Sequence, residues 1–445
     1  MSGAGWPWPD AMIIVDAALR ELESSGAPIR VGIVGAGFMS QGLANQIANS
    51  VPGMRLAAVV GRRLERAAHV VRYAGIEPVT VGSVEAIDAA IDGGRTAVTT
   101  DPMLLCRSSS IDVLVEATGA VEYATHVVLE AFAQGKDVIL MNAELDATIG
   151  PILQVKAREH GVVMSACDGD EPGVQLNLVR WVRGLGLIPR VIGNVKGLQD
   201  PYRNPTTQRG FAERWGQSPG MVTSFADGTK ISCEQSIVAN ATGFKVLRRG
   251  MSRGREFREL PEKLPELYMP ILDEIRALGG IIDYTVGTIG TKVYVLAEHP
   301  DPKQRHYLEL YHMGPGPLYA FWVPYHLVHF EVPNAIARVR LFRDALAPPL
   351  GGPVVEVCAV AKRDLLRGET LDDYGHYMTY GEAVNTDEMM REQYLPEGLV
   401  EGCVLRRDIH RDEVIRYEGV DLPVGRLADN LRAEQYQHFY GSNPI

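Results

Sequence analysis

A glycine-rich turn between a short apolar run and an amphipathic stretch constrains this chain more than any other feature. Ile29–Val34 reads as a strand, and Gly35-Ala36-Gly37-Phe38-Met39-Ser40 follows it directly and opens a helix. This is a G-x-G-x-x-G pattern with serine in the third glycine's place. Gly35 permits a tight turn, and Gly37 lets the backbone approach a pyrophosphate. Phe38 and Met39 begin a helix whose amides and dipole favour an anion. Further apolar runs at 55–60, 111–116, 137–141 and 162–166 alternate with helical patterns such as 121–134 and 148–160. Strands separated by helices of this length imply a parallel sheet covered on both faces, so 29–167 is predicted to be a doubly wound α/β domain. The plain alternative is the same fold holding no cofactor.

The end of the second run refines the cofactor. A site for NAD would carry an acidic residue there to hold the ribose hydroxyls, and this chain has Gly61-Arg62-Arg63. Two guanidinium groups suit a 2′-phosphate, which points to NADPH and leaves NAD possible. They are otherwise solvated residues at a helix start. Thr118, Gly119 and Asn142 fall at later strand ends, where a switch-point crevice would take the nicotinamide half.

With 445 residues, the chain is too long for one core. Residues 1–28 form a helical lead-in, without the basic start and apolar stretch of a secretory signal. Residues 168–350 read as a mixed α/β catalytic or substrate domain that also carries a dimer interface. A helix starts near Asp170 with Val174, Leu178, Trp181, Val182 and Leu185 on one face, and strands are expected at 292–297 and 307–311. A Pro/Gly-rich linker at 347–353 precedes a small β-rich domain over 351–425 and a short helical tail, 426–445.

No apolar run approaches the roughly 20 residues of a membrane span. A net charge of −11 argues against nucleic acid as a partner. Five scattered cysteines, with no metal-ligand spacing, suit reduced thiols in a cytoplasm. A small-molecule substrate and a homodimer are the expected partners.

Hydride transfer to a carbonyl needs a proton donor and a charge to stabilise the alkoxide. Lys196, Asp227, Lys230 and Glu234 are the candidate catalytic groups. Glu144, Asp168, Asp170, Arg203, Thr206, Thr207, Asn240 and His326 are the candidate substrate contacts. Asp227-Gly228 is equally a common hairpin dipeptide, and Asp170 a plain helix cap. Asp168, Asp170 and Glu171 could take a divalent ion through oxygen ligands or simply face water, so a metal is left open. His326 and His329 are three apart, a spacing that suits a shared helical face and packing, with His326 also a candidate substrate contact.

Several of these segments carry a family resemblance. VGIVGAGFMSQGLANQI, VLVEATG, MNAELDATIGP, ACDGDEPG, GNVKGLQDPYRNPTT, SFADGTKISCEQSIVANATG and GPGPLYAFWVPYHLVHFEVP together resemble homoserine-dehydrogenase-like oxidoreductases. AVAKRDLLRGETLDDYG and LPEGLVEGCVLRRDI resemble a C-terminal SAF domain, a β-clip module. Within that fused group the chain resembles deoxyxylulose-phosphate reductoisomerase-like enzymes. The resemblance implies a Rossmann domain, an α+β catalytic and dimerisation domain and a β-clip. It also implies an NADPH-dependent activity on a sugar phosphate, in the service of isoprenoid synthesis. Homoserine dehydrogenase and a sugar-acid or polyol dehydrogenase of carbohydrate catabolism are the alternatives, and a non-catalytic nucleotide sensor is the alternative of another class. Two departures stand out. Ala143 follows Asn142 where homoserine dehydrogenases carry lysine, which speaks against homoserine oxidation, and His376 stands where a SAF loop would have glycine.

Overall fold

The computed structural model describes residues 15–442. The lead-in is represented by the helix Asp16–Ser25, and the part of it before residue 15 lies outside the described residues. Seven parallel strands follow: β1 (Ile29–Val34), β2 (Met54–Val60), β3 (Val79–Thr80), β4 (Ala97–Thr99), β5 (Val113–Glu116), β6 (Asp137–Leu140) and β7 (Met164–Ala166). Their order is β3-β4-β2-β1-β5-β6-β7. The chain runs outward from β1 in one direction, then returns to β5 on its other side, which opens a crevice at the carboxyl ends of β1 and β5.

Both faces of this sheet are covered, which is why its strands are apolar throughout rather than alternating. On one face lie the helices Phe38–Asn49 and Leu64–Tyr73, with Leu43, Ile47 and Val70 buried against Val31 and Ile33. A helix from far along the chain, Val328–Phe342, joins the same core through Val332 and Ile336. The opposite face carries Val121–Ala133 and Ala143–Glu159, with Val128, Ile149 and Ile152 buried beside Leu431 of the C-terminal helix Leu427–Tyr440.

The second sheet is mixed. Its strands are β8 (Ile188–Lys196), β9 (Arg255–Glu256), β10 (Ile281–Val286), β11 (Val293–Glu298) and β12 (Leu318–Val323), in the order β12-β11-β8-β10-β9. β10 runs parallel to β8 and β9, and β11 antiparallel to β8 and β12. The helices Glu171–Gly184 and Thr229–Thr242 cover one face, and Leu264–Tyr268 with Leu272–Ala277 the other. The strand expected at 307–311 is instead the end of a helix, Pro302–Leu310, and the turn after it. Asp301 caps that helix by accepting from the Lys303 amide at 2.8 Å, and Pro302 fits its first turn. These start signals outweigh the aromatic content that suggested a strand.

The linker leads into an antiparallel pair, β13 (Val355–Ala361) and β14 (Thr379–Asn385). Val355, Val357 and Ala383 of this pair share a core with Ile231 and Val238 of the helix Thr229–Thr242. A second small antiparallel pair, β15 (Val404–Leu405) and β16 (Val420–Asp421), has its own core around Leu371, Leu395 and Val420. The C-terminal helix then returns to the first domain. Its buried Arg432 pairs with Glu356 and donates to the Thr148 carbonyl at 2.9 Å. No helix among the described residues is long and apolar enough to cross a membrane.

Candidate active site

The crevice begins at the glycine turn. Gly35 has φ of 120°, and a Cβ there would lie 2.7 Å from the Ala117 carbonyl oxygen, so β1 can meet the end of β5 only through glycine. Gly37 faces open space, with nothing within 4 Å of where its Cβ would stand. That leaves room for a phosphate in front of the helix that Phe38 and Met39 begin, where the first amides are free to donate. Gly61 packs on Ala36, which brings the end of β2 beside the turn. Arg62 and Arg63 follow it, exposed and making no ion pair among the described residues. On the other flank, the Thr118 amide donates to Glu116 at 3.0 Å. Burial raises the Glu116 carboxyl to about 7. Asn142 caps the helix Ala143–Glu159 by accepting from the Leu145 amide at 3.0 Å.

Beyond Asn142 the crevice opens onto a cluster of buried charges. β8 ends at Lys196, the helix Glu171–Gly184 begins with Asp170 and Glu171, and the helix Thr229–Thr242 presents Lys230 and Glu234 one turn apart. The Lys196 ammonium lies 3.1 Å from Glu171 and 3.2 Å from Glu234. Asn194, two residues back on the same face of β8, donates to Glu234 at 3.4 Å. Lys230 lies 3.6 Å from Glu144 and 3.9 Å from Asp170. His326 closes the group, 3.5 Å from Glu171.

Four carboxylates around two ammonium groups leave an excess of negative charge, and the protonation states follow from it. Burial disfavours both lysine charges, but Glu171 and Glu234 raise Lys196, and Glu144 and Asp170 raise Lys230 well above the usual range. Both are therefore ammonium ions at neutral pH. Burial would raise Glu171, yet Lys196 and His326 hold it well below its ordinary value. Burial and the Glu171 charge push the Glu234 carboxyl well above its ordinary value, against the pull of Lys196. Burial, against the pull of Lys230, raises Asp170 to about 6. The cluster thus holds fixed positive charge beside one acid that titrates near neutrality, which is the equipment of proton transfer and oxyanion stabilisation. The ligand atoms of Asp170, Glu171 and His326 also lie within 4.8 Å of one another.

Other sequence candidates are turned elsewhere. Asp227 is no hairpin residue: it ends the helix Pro219–Asp227, and Gly228, at φ of 102°, joins that helix to the next. Its carboxylate pairs with Lys362 of the C-terminal region at 2.8 Å, away from the cluster. Asp168 is buried against Arg338 at 3.1 Å and accepts from Asn177 at 2.6 Å. Asn240 pins the start of β13 by accepting from the Val354 and Val355 amides at 2.7 and 3.1 Å. Arg203 pairs with Asp200 at 3.0 Å. Thr207 completes a capping box with Asn204, and Thr206 shares a 2.9 Å hydrogen bond with Tyr377. The two histidines share no face: His326 precedes the helix Val328–Phe342 and turns to Glu171, while His329 packs on Gly42. Asn194 was missed by the sequence reading, although its period-two spacing from Lys196 marked a shared strand face. Lys362 and Arg338 were missed too, and nothing local to them signals their distant partners. All five cysteines are buried and unpaired.

Two family models match successive parts of the chain. Residues 31–164 match the model of the homoserine dehydrogenase NAD binding domain. Residues 169–332 match that of the catalytic domain of the oxidoreductase DRL. A homoserine dehydrogenase of Pseudomonas aeruginosa is 30% identical over 168 residues, covering 36% of this chain and 35% of that protein. The chain thus spans about a third of the length of the curated relative it matches. Among solved structures, a probable dehydrogenase of Thermotoga maritima is similar at 12% identity and a TM-score of 0.41, over 73% of this chain and 91% of that one. The myo-inositol dehydrogenase of Lactobacillus casei, solved with NAD(H) and myo-inositol, is similar at 19% identity and a TM-score of 0.29, over 40% and 49%. An NAD(P)-binding domain is thus followed by an oxidoreductase catalytic domain.

Proposed function

We propose that this chain is an NADPH-dependent oxidoreductase that reduces the carbonyl of a small, polar, sugar-like substrate. The observation that carries the reading is the buried cluster of Lys196, Lys230, Glu171, Glu234 and Asp170, built beside the switch-point loops of a dinucleotide domain. The residues fit a dinucleotide: Gly37 leaves space for the pyrophosphate. Arg62 and Arg63, exposed and without an ion pair among the described residues, suit a 2′-phosphate. When bound, the nicotinamide supplies the hydride.

The chain's own groups supply the rest. Lys230 and Lys196 place fixed positive charge where the carbonyl oxygen becomes negative, in a site largely closed to water. Asp170, titrating at about 6, hands over the proton. Glu234, itself held by Asn194, accepts from Lys196 and keeps it in place. A divalent cation, if bound, would be held by Asp170, Glu171 and His326, with Asp170 then a carboxylate ligand and the cation's charge polarising the oxygen in place of the Asp170 proton.

Within this reading, deoxyxylulose phosphate is the first substrate to try, as the Sequence analysis resemblance implies, and the antiparallel pairs of the C-terminal region suit a β-clip module. Homoserine oxidation is less favoured, because Ala143 stands in the lysine's place and residues 169–332 match the DRL catalytic model. The test is NADPH oxidation, with NADH in parallel, on deoxyxylulose phosphate, aspartate semialdehyde and a panel of ketoses and sugar acids, each with and without Mn²⁺. Turnover of deoxyxylulose phosphate supports a reductoisomerase. Turnover of another carbonyl keeps the oxidoreductase and reassigns its substrate. A purified protein that binds no nicotinamide dinucleotide refutes the proposal.

A further inference from the structure

The C-terminal region reaches the end of β5, at the switch point of the first sheet. Gly119, at φ of 73°, stands just past the end of β5 on the side of the switch point away from Arg62 and Arg63. With the 2′-phosphate end of a dinucleotide at the β2 side and the pyrophosphate at Gly37, the nicotinamide half extends toward β5 and Gly119. A side chain from 255 residues away meets that glycine: the Tyr374 hydroxyl donates to the Gly119 carbonyl at 2.7 Å. The same hydroxyl would stand 3.1 Å from a Cβ on Gly119, and Met221 closes in at 3.4 Å from the helix Pro219–Asp227. Tyr374 is only 8% exposed, and the charges that act on it are Glu144, Asp373 and Lys230. It therefore ties the C-terminal region to the switch point in a largely buried position.

The loop that carries Tyr374 is firmly built. Asp372 accepts from the Tyr377 and Met378 amides at 2.9 and 3.2 Å. Gly375, at φ of 69°, packs on the Gly220 carbonyl, where no side chain would fit. Lys362 donates to the His376 carbonyl at 2.7 Å while paired with Asp227, the residue that ends the helix just before the one bearing Lys230 and Glu234. One buried ion pair thus ties this loop to the catalytic helix.

We infer that Tyr374 walls the nicotinamide half of the cofactor site, so that the hairpin of β13 and β14 is a working part of that site. This rests on the dinucleotide reading above. Its test needs no substrate: the binding of NADPH is compared with that of 2′-phospho-ADP-ribose, the same molecule without its nicotinamide, in the full chain. Tyr374→Ala is expected to weaken NADPH about tenfold and Tyr374→Phe about threefold, from the loss of the wall and of one hydrogen bond. Both variants should bind 2′-phospho-ADP-ribose within about twofold of the parent chain. A purely structural tyrosine would lower both affinities in step, and that result overturns the inference, as does unchanged NADPH affinity. If Tyr374→Ala does not fold, Tyr374→Phe and the split between the two ligands carry the test. A parent chain that binds neither ligand overturns the dinucleotide reading, and this inference with it. A parent that binds both, with variants that show no split, overturns the inference alone.

Discussion

Replacing Lys362 by methionine should destabilise the chain by an amount that shrinks on acidification. Lys362 is 3% and Asp227 0% exposed at the side chain, so the variant leaves a carboxylate in the interior with no counter-charge. The cheapest escape for Asp227 is to take up a proton, at about 1.4 kcal/mol for each pH unit above an unfolded value of about 3.9. That is about 4 kcal/mol at about pH 7 and about 1.5 at about pH 5. The hydrogen bond from Lys362 to the His376 carbonyl adds about 1 kcal/mol at either pH. Burial already raises Asp227 in the parent despite Lys362, so the expected deficit is at most about 5 kcal/mol near neutrality and about 2.5 near pH 5, in the range known for breaking a buried pair. The sign follows from linkage. In the variant the folded-state value of Asp227 lies above its unfolded value, so the penalty is full above it and relieved as pH falls. Urea denaturation of parent and variant at the two pH values reads the gap directly. Adding Asp227→Asn to the variant should recover most of the loss at about pH 7, since no charge is then stranded. A deficit under about 1 kcal/mol near neutrality, or one that does not narrow with acid, would refute the reasoning.

Three further outcomes are expected. Lys230→Met should cut kcat on any carbonyl that turns over by about a hundredfold or more while NADPH still binds, checked by steady-state kinetics beside cofactor titration. In the direction of reduction, the protonated form of Asp170 is the donor. The rate should fall as pH rises through about 6, and Asp170→Asn should flatten that limb. Arg62→Ala with Arg63→Ala should weaken NADPH by roughly ten- to a hundredfold and leave NADH unchanged, the loss of charge-assisted bonds to the 2′-phosphate. Equal losses for both dinucleotides would reassign the arginines.

The glycine turn and the alternation of apolar runs were enough to read the first sheet, because pyrophosphate approach and a doubly covered sheet each demand local chemistry. β3 and β4 escaped that reading: with two and three residues they are too short to show a period. The helix at 302–310 was misread for a related reason, since the aromatic Tyr307 and Tyr311 carried more weight than the Asp-Pro start that decided it.

For the candidate site, the sequence supplied the residue types and the tertiary structure decided which charges they meet. Asp168 and Asp170 are two apart, yet one is sealed against Arg338 and the other faces Lys230. Asp227 and Lys230 are three apart, yet a left-handed glycine between them turns one to Lys362 and the other to Glu144. A carboxylate's role depends on which charge it meets after burial, and those charges come from residues 196, 230, 338 and 362. The sequence by itself determined that a dinucleotide fold would form and that acids would follow two of its strands, at Glu144 and at Asp168 to Glu171. Only the packing of distant segments decided which of them share a proton, which anchor the chain, and that Tyr374 closes the crevice. Turn geometry and periodicity are local properties, while desolvation and ion pairing exist only once the chain has closed on itself.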